Sequence, residues 1–196
     1  MIDINSDMGE LTHLFEDRTY HQLIDHVTSI NLACGGHAGN TTMMTELSKL
    51  AKLKNVRIGA HPGYPDPDNL GRAVMNMDPR DLTQTILEQI RRLDEIVSAE
   101  NEQLFHVKPH GALYNQAAKD RTYESDGSLR NRDLDHALIT DPKKAAKQAQ
   151  MITNEGKVIS FDGSDIHINA QTICIHSDTP NALDIAKKVN EYINKE

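Results

Sequence analysis

Asp7, His37, His61, His110 and His176 are ionisable side chains that each fall at or just past the end of a stretch that reads as a strand. Groups of this kind are costly in a core and useful in a cleft, where they act as general acids and bases or hold a metal. Around His110 the stretch Phe105–Asn115, FHVKPHGALYN, alternates basic and apolar residues. On an extended chain His106, Lys108 and His110 share one face, and Phe105, Val107 and Pro109 the other. Two chemistries are open to such a rim. In the first, a neutral histidine or Asp7 takes a proton from water while Lys108 and the backbone amides of Gly35 and Gly36 stabilise an oxyanion. In the second, Asp7, His37 and His61 hold a divalent metal of unspecified identity. These histidines lie on separate loops and lack the fixed spacing of a helical HExxH, which favours the acid/base version. Cys34 as a covalent nucleophile is a third option, set against the usual inertness of a buried thiol.

The elements that would carry these residues follow from periodicity. Ile2, Ile4 and Met8 alternate with Asp3, Asn5 and Asp7, giving a strand with a polar face. Leu23, Ile24 and Val27 predict a helix over 20–27, and Ser29–Ala33 a second strand that ends in CGGHAGN, which presents His37. Thr41–Leu53 predicts a helix capped by Asn40 or Thr41, with Met43, Met44, Leu47, Leu50, Ala51 and Leu53 as its apolar stripe. Val56–Ala60 is a third strand running into His61 and Pro62. A Pro-, Gly- and Asp-rich loop follows, and Asp78 with Pro79 opens a helix to about Glu100, with Leu82, Ile86, Ile90, Leu93 and Val97 on one face. Beyond the fourth strand, 105–110, Asp120–Asp141 is a polar segment without clear periodicity. A helix from Pro142 to Thr153, ended by Asn154 and Gly156, leads to strand-like Val158–Phe161 and Ile173–Ile175, the latter delivering His176 and Asp178. Ala182–Ile193 is a closing amphipathic helix. Strands alternating with helices predict a parallel α/β sheet whose functional groups gather at the carboxyl ends of the strands.

A chain of 196 residues suits one domain, and its net charge of -8 argues against a nucleic-acid backbone as partner. Lys143, Lys144 and Lys147 read as a solvated helix face. No apolar run approaches a membrane span, and acidic residues stand where a signal peptide would be basic, so the expected location is the cytoplasm. Two cysteines outside any CxxC pair argue against a disulfide framework or a structural zinc knuckle. Low apolar content and open strand edges would leave room for a homo-oligomer.

The stretches DINSDMGE at 3–10, NLACGGHAGN at 31–40, IGAHPGYPD at 58–66, HVKPHGALYNQAAKD at 106–120, DRTYESDGSLRNR at 120–132 and QTICIHSD at 171–178 resemble the LamB/YcsF family, the A-subunit of the prokaryotic ATP-dependent 5-oxoprolinase. The resemblance spans nearly the whole chain, as one domain over 1–196. It implies a (β/α) barrel of the glycoside hydrolase/deacetylase type and a role in opening the lactam of 5-oxoproline (pyroglutamate) to L-glutamate with partner subunits B and C. The sequence has no P-loop or kinase-type glycine loop, so ATP would be bound by those partners. Within the matched stretches Asp7, His37, His61, Lys108 and His110 are the candidate catalytic residues. Asn5, Asn31, Gly35, Gly36, Tyr114 and Asn115 are the candidate substrate-binding ones. One departure stands out. At about Asp120 the chain joins directly two segments that the family separates by roughly 45 residues, more than one βαβ unit of ~30. That leaves an incomplete or open barrel with an exposed side, a repaired sheet, or residues absent from this sequence. It keeps in view a paralogue that binds partners or a small ligand without turnover; the fold class alone adds a metal-dependent carbohydrate deacetylase.

Overall fold

The structure is a computed structural model that describes residues 2–73, 75–114 and 138–194. The expectations placed on Asn115, Asp120, Arg121 and Tyr123, and on the side chain of Tyr114, lie outside the described residues. The chain divides into two compact units, Ser6–Ala117 and Met1–Asn5 with Ala118–Glu196.

The Ser6–Ala117 unit holds the later half of β1 (Asp3–Met8), then α1 (Thr12–Glu16), α2 (Thr19–Leu23) and β2 (Ser29–Ala33). It continues with α3 (Thr41–Lys54), β3 (Arg57–His61), α4 (Pro79–Ala99), β4 (Leu104–Val107) and the single turn α5 (Gly111–Tyr114). The second unit holds α6 (Pro142–Glu155), β5 (Lys157–Ile159), β6 (Asp165–His167), β7 (Thr172–Ile175) and α7 (Ala182–Ile193). Five strands run in the order β4-β3-β2-β1-β7, while β5 and β6 form an antiparallel pair. The pairs β2–β3 and β3–β4 are parallel, as alternation of strand and helix requires. Among the described residues no helix is long and apolar enough to cross a membrane.

β2 is buried at all five positions, the mark of a central parallel strand covered on both faces. α3 lies against it, and Met43, Met44, Leu47 and Ala51 of that helix are buried, as are Leu93 and Val97 of α4. The Asn40 side chain accepts from the Met43 N–H at 3.0 Å, the N-cap expected from sequence. Leu53, however, is 79% exposed. Two residues past Ala51 it has rotated about 200° around the helix, off the buried stripe. The helix expected over 20–27 is shorter: α2 ends at Leu23 and Ile24–His26 tightens into a 3-10 turn. In the other unit α6 and α7 pack on each other through Ala146, Ala149, Ala182, Ile185, Ala186 and Val189. α6 begins at the Asp141 cap and ends at Gly156 with φ +61°, and Lys143, Lys144 and Lys147 face solvent.

At β4 the expected alternation is present with its apolar side outward: Phe105 and Val107 are exposed and His106 is half-buried. Period two says which residues share a face but not which face is inside. The strand lies at one end of the sheet order, and its His106 ring reaches across Gly59 of β3 to Asn31 of β2. A Cβ at Gly59 would stand 2.2 Å from His106 Nε2, so only glycine leaves room for that crossing.

Candidate functional site

Within the Ser6–Ala117 unit, the carboxyl ends of four strands bring ionisable groups together. Asp7 is the penultimate residue of β1 and Glu10 lies just past its end. His37 follows β2, His61 ends β3, and Lys108 and His110 follow β4. Glu10 is set by a turn at Gly9, φ +78°, and by the buried hydroxyl of Tyr20, which accepts from the backbone N–H groups of Glu10 and Leu11 at 3.2 and 3.0 Å. The loop after β4 is fastened to its neighbours by backbone bonds. The N–H of Lys108 donates to Ala60, that of His110 to Pro62 and that of Ala112 to Gly71, at 2.9, 2.8 and 2.9 Å.

One oxygen of Glu10, Oε1, lies 2.7 Å from His110 Nδ1, 3.1 Å from His37 Nε2 and 3.4 Å from His61 Nε2. His110 Nδ1 is also 2.9 Å from His61 Nε2. The rings of His37 and His110 stack in parallel at 3.8 Å, and His61 meets both edge-on. All three histidines are buried. Backbone carbonyls select two tautomers. His61 Nδ1–H donates to the Lys108 carbonyl at 2.6 Å, and His110 Nε2–H donates to the Leu70 carbonyl at 2.9 Å. Each ring, in its neutral form, then turns its remaining lone pair toward Glu10. Burial pushes the Glu10 carboxyl up, but where a facing nitrogen of His110, His37 or His61 carries a proton it donates to the carboxylate, and these hydrogen bonds outweigh burial and hold the group well below the ordinary carboxylate range. Burial drives His37 the other way, down to about 4, so its imidazole is neutral near pH 7.

Beside this cluster lies an ion pair. Lys108 Nζ donates to Asp7 Oδ1 at 2.5 Å, and the same oxygen accepts from Asn31 Nδ2 at 2.8 Å. His106 Nε2–H donates to Asn31 Oδ1 at 2.6 Å, so Asn31 is a link between His106 and Asp7. Asp7 Oδ1 is 3.6 Å from His61 Nε2, which joins the ion pair to the histidine cluster. Asp7 is 1% exposed on its side chain and Lys108 12%, so the ammonium is the member that reaches toward solvent.

The residues expected from sequence are thus found here in part. Asp7, His37, His61, Lys108 and His110 come together. The carboxylate that the three imidazoles surround is Glu10, with Asp7 committed to Lys108 and Asn31. Glu10 is not among the sequence candidates, although it satisfies the same rule as they do, an ionisable group just past the end of a strand. The Gly35 N–H donates to the Ala38 carbonyl at 2.8 Å and closes its own turn. Gly36 lies against the Gln89 amide, where a Cβ would approach Gln89 Oε1 to 2.2 Å. Asn5, in the other unit, donates to Thr172 Oγ1 at 2.7 Å. Cys34 is buried, donates to the Leu32 carbonyl at 3.2 Å, and has its thiol pushed up to about 12 by burial, which removes the thiolate a nucleophile needs.

Gln89 is the other residue that sequence reasoning passed over. It occupies a buried position on the apolar stripe of α4, between Ile86 and Leu93, and its amide clasps Gly63 just past β3. Nε2 donates to the Gly63 carbonyl at 2.8 Å, and Oε1 accepts from the Gly63 N–H at 3.1 Å. Gln89→Leu keeps the volume and orphans both groups. We expect a loss of about 1–3 kcal/mol for each, read from urea unfolding. A loss below about 0.5 kcal/mol would show that the clasp contributes nothing.

A model of the LamB/YcsF family matches residues 2–122 and 119–196, two segments that meet where the sequence departs from the family pattern. The chain is 34% identical to the 5-oxoprolinase A-subunit of Halalkalibacterium halodurans, over 100% of its own length and 94% of that protein. Those 241 aligned positions against 196 residues leave 45 positions of the relative unmatched. The protein of the same name from Chloroflexus aggregans is 36% identical over 92% of this chain and 90% of its own. The crystal structure of a lactam utilization protein from Thermus thermophilus superposes with a TM-score of 0.89 at 33% identity, covering 98% of this chain and 95% of that one.

Proposed function

Since the chain belongs to the LamB/YcsF family, we propose that it is the subunit of an ATP-dependent 5-oxoprolinase that opens the 5-oxoproline lactam to L-glutamate. The observation that carries the reading is the Lys108–Asp7 ion pair set against a buried Glu10 among three histidines. A lactam carbonyl is a poor electrophile. Hydrolysis therefore calls for a positive group where the oxyanion grows and a base for the attacking water.

In this reading the Lys108 ammonium, aimed by Asp7, stabilises charge on the lactam oxygen. The Asp7 carboxylate, beside that ammonium, accepts the proton of water and can return it to the departing nitrogen. The amide nitrogen leaves as the amine of glutamate and takes a proton as the C–N bond breaks. Phosphorylation of the lactam oxygen by ATP would make the ring carbon a better electrophile; attack of water and C–N cleavage then give an acyl phosphate, which a second water cleaves to glutamate and inorganic phosphate. The phosphorylation is assigned to partner subunits B and C, since this sequence has no phosphate-binding glycine loop.

The test is reconstitution. Purified chain of verified intact mass is mixed with subunits B and C, 5-oxoproline and ATP, and glutamate is measured beside a mixture lacking the chain. Glutamate formed only with the chain supports the reading and shows that the 45 positions are dispensable. If none forms, while a full-length relative activates the same partners, the chain is a binding paralogue. Deacetylation of a carbohydrate panel in place of lactam opening would move it to the deacetylases.

A further inference from the structure

We propose that Glu10, His37, His61 and His110 form a binding site for one divalent transition-metal ion. The inference deepens the hydrolytic reading and rests on it for what the ion would do. The binding itself stands on the geometry. Four candidate ligand atoms, one from each side chain, all lie within 4.8 Å of one another. An ion bonded at about 2.1 Å separates neighbouring ligand atoms by roughly 3.0 Å in octahedral and roughly 3.4 Å in tetrahedral geometry. Glu10 Oε1 stands 2.7, 3.1 and 3.4 Å from the three ring nitrogens, and His110 Nδ1 2.9 Å from His61 Nε2, values that surround the octahedral separation and reach the tetrahedral one.

The tautomers point the same way. The Lys108 and Leu70 carbonyls take the N–H of His61 and of His110, which leaves two imidazole lone pairs facing a carboxylate oxygen inside a buried cluster. Acceptors gathered at such distances need a positive centre among them. The carbonyl contacts are also what metal-bound histidines characteristically make with their other nitrogen. His37 presents Nε2 to Glu10 Oε1 at 3.1 Å, while its Nδ1 is buried with no hydrogen-bond partner among the described residues. Three imidazoles and one carboxylate suit zinc, cobalt, nickel or manganese better than magnesium or calcium, which prefer all-oxygen sites. Such an ion supplies a Lewis acid next to the Lys108–Asp7 pair.

The experiment uses the full chain stripped with a chelator and titrated with Co(II), without ATP, lactam or partner subunits, so a failure of turnover leaves its outcome untouched. Expected are ligand-field bands that saturate at about one ion per chain, and a rise in melting temperature with Zn(II). Glu10→Gln and His110→Gln should each weaken binding by more than about 100-fold, whereas Asp7→Asn keeps the stoichiometry. Two variants guard against one failing to fold, with circular dichroism as the check. No saturable binding to the folded parent, or binding lost in Asp7→Asn and kept in Glu10→Gln, overturns the proposal.

Discussion

Lys108→Met should lower glutamate formation in the reconstituted enzyme by at least about 100-fold, the scale set by removing one oxyanion donor. The loss should fall on kcat, with the KM for ATP unchanged, because the ammonium is asked to meet charge that appears only during ring opening. A structural objection is available and can be separated. Removing the ammonium leaves Asp7, 1% exposed on its side chain, without the cation 2.5 Å away, and breaking a buried pair costs about 3–5 kcal/mol. The double variant Asp7→Asn with Lys108→Met removes that buried charge. It should regain most of the stability and none of the turnover. Activity returning with stability would make Lys108 a structural cation and end its catalytic assignment.

The second large effect is on stability against acid, measured on chelator-treated chain. The His37 imidazole stands at about 4 in the folded protein and near 6.5 in the unfolded chain. Below 6.5 the unfolded state binds the extra proton and the folded state does not, so stability falls as pH drops from about 6.5 to about 4. The ceiling is about 3 kcal/mol, from 1.36 kcal/mol per unit. Glu10, held low, acts in the same direction but later: its contribution is complete above 4.5 and is lost as pH falls through its folded value. The groups that face His37 are Glu10, His61 and the stacked His110. Urea midpoints at pH 7.5 and 4.5 should therefore differ strongly in the parent and less in His37→Gln. A parent midpoint unchanged across that range would mean that the ring accepts its proton without cost.

Several parts of this structure were readable before any coordinates, for physical reasons that also explain the remainder. The apolar stripe of α4 repeats through Leu82, Ile86, Ile90, Leu93 and Val97, and caps at Asn40 and Asp78 accept from backbone N–H groups as their side chains suggest. Rim residues followed from the rule that parallel strands deliver their functional groups at the carboxyl end. Gln89 escaped because a lone polar residue on an apolar stripe looks like a helix edge until a partner such as the Gly63 peptide is known. Glu10 escaped because its role depends on which imidazoles surround it, a property of three distant loops. The outward face of β4 could not be fixed, since Phe105 and Val107 look like core residues in any alternating strand.

The fastening of the loop after β4 bears on how such a protein can change over generations. Its peptide at Lys108 presents the ammonium, holds the His61 ring through its carbonyl and hangs from Ala60 through its N–H. His110 touches Glu10 and His61, stacks on His37 and is tied to Leu70 and Pro62. Neither Lys108 nor His110 has a single duty that could drift while its neighbours stand still. A lineage that abandoned the chemistry would face little pressure against early loss at any one of these positions, and one loss would unsettle the others. Several duties still met at once in one loop are the sort of heritage that disuse erodes first.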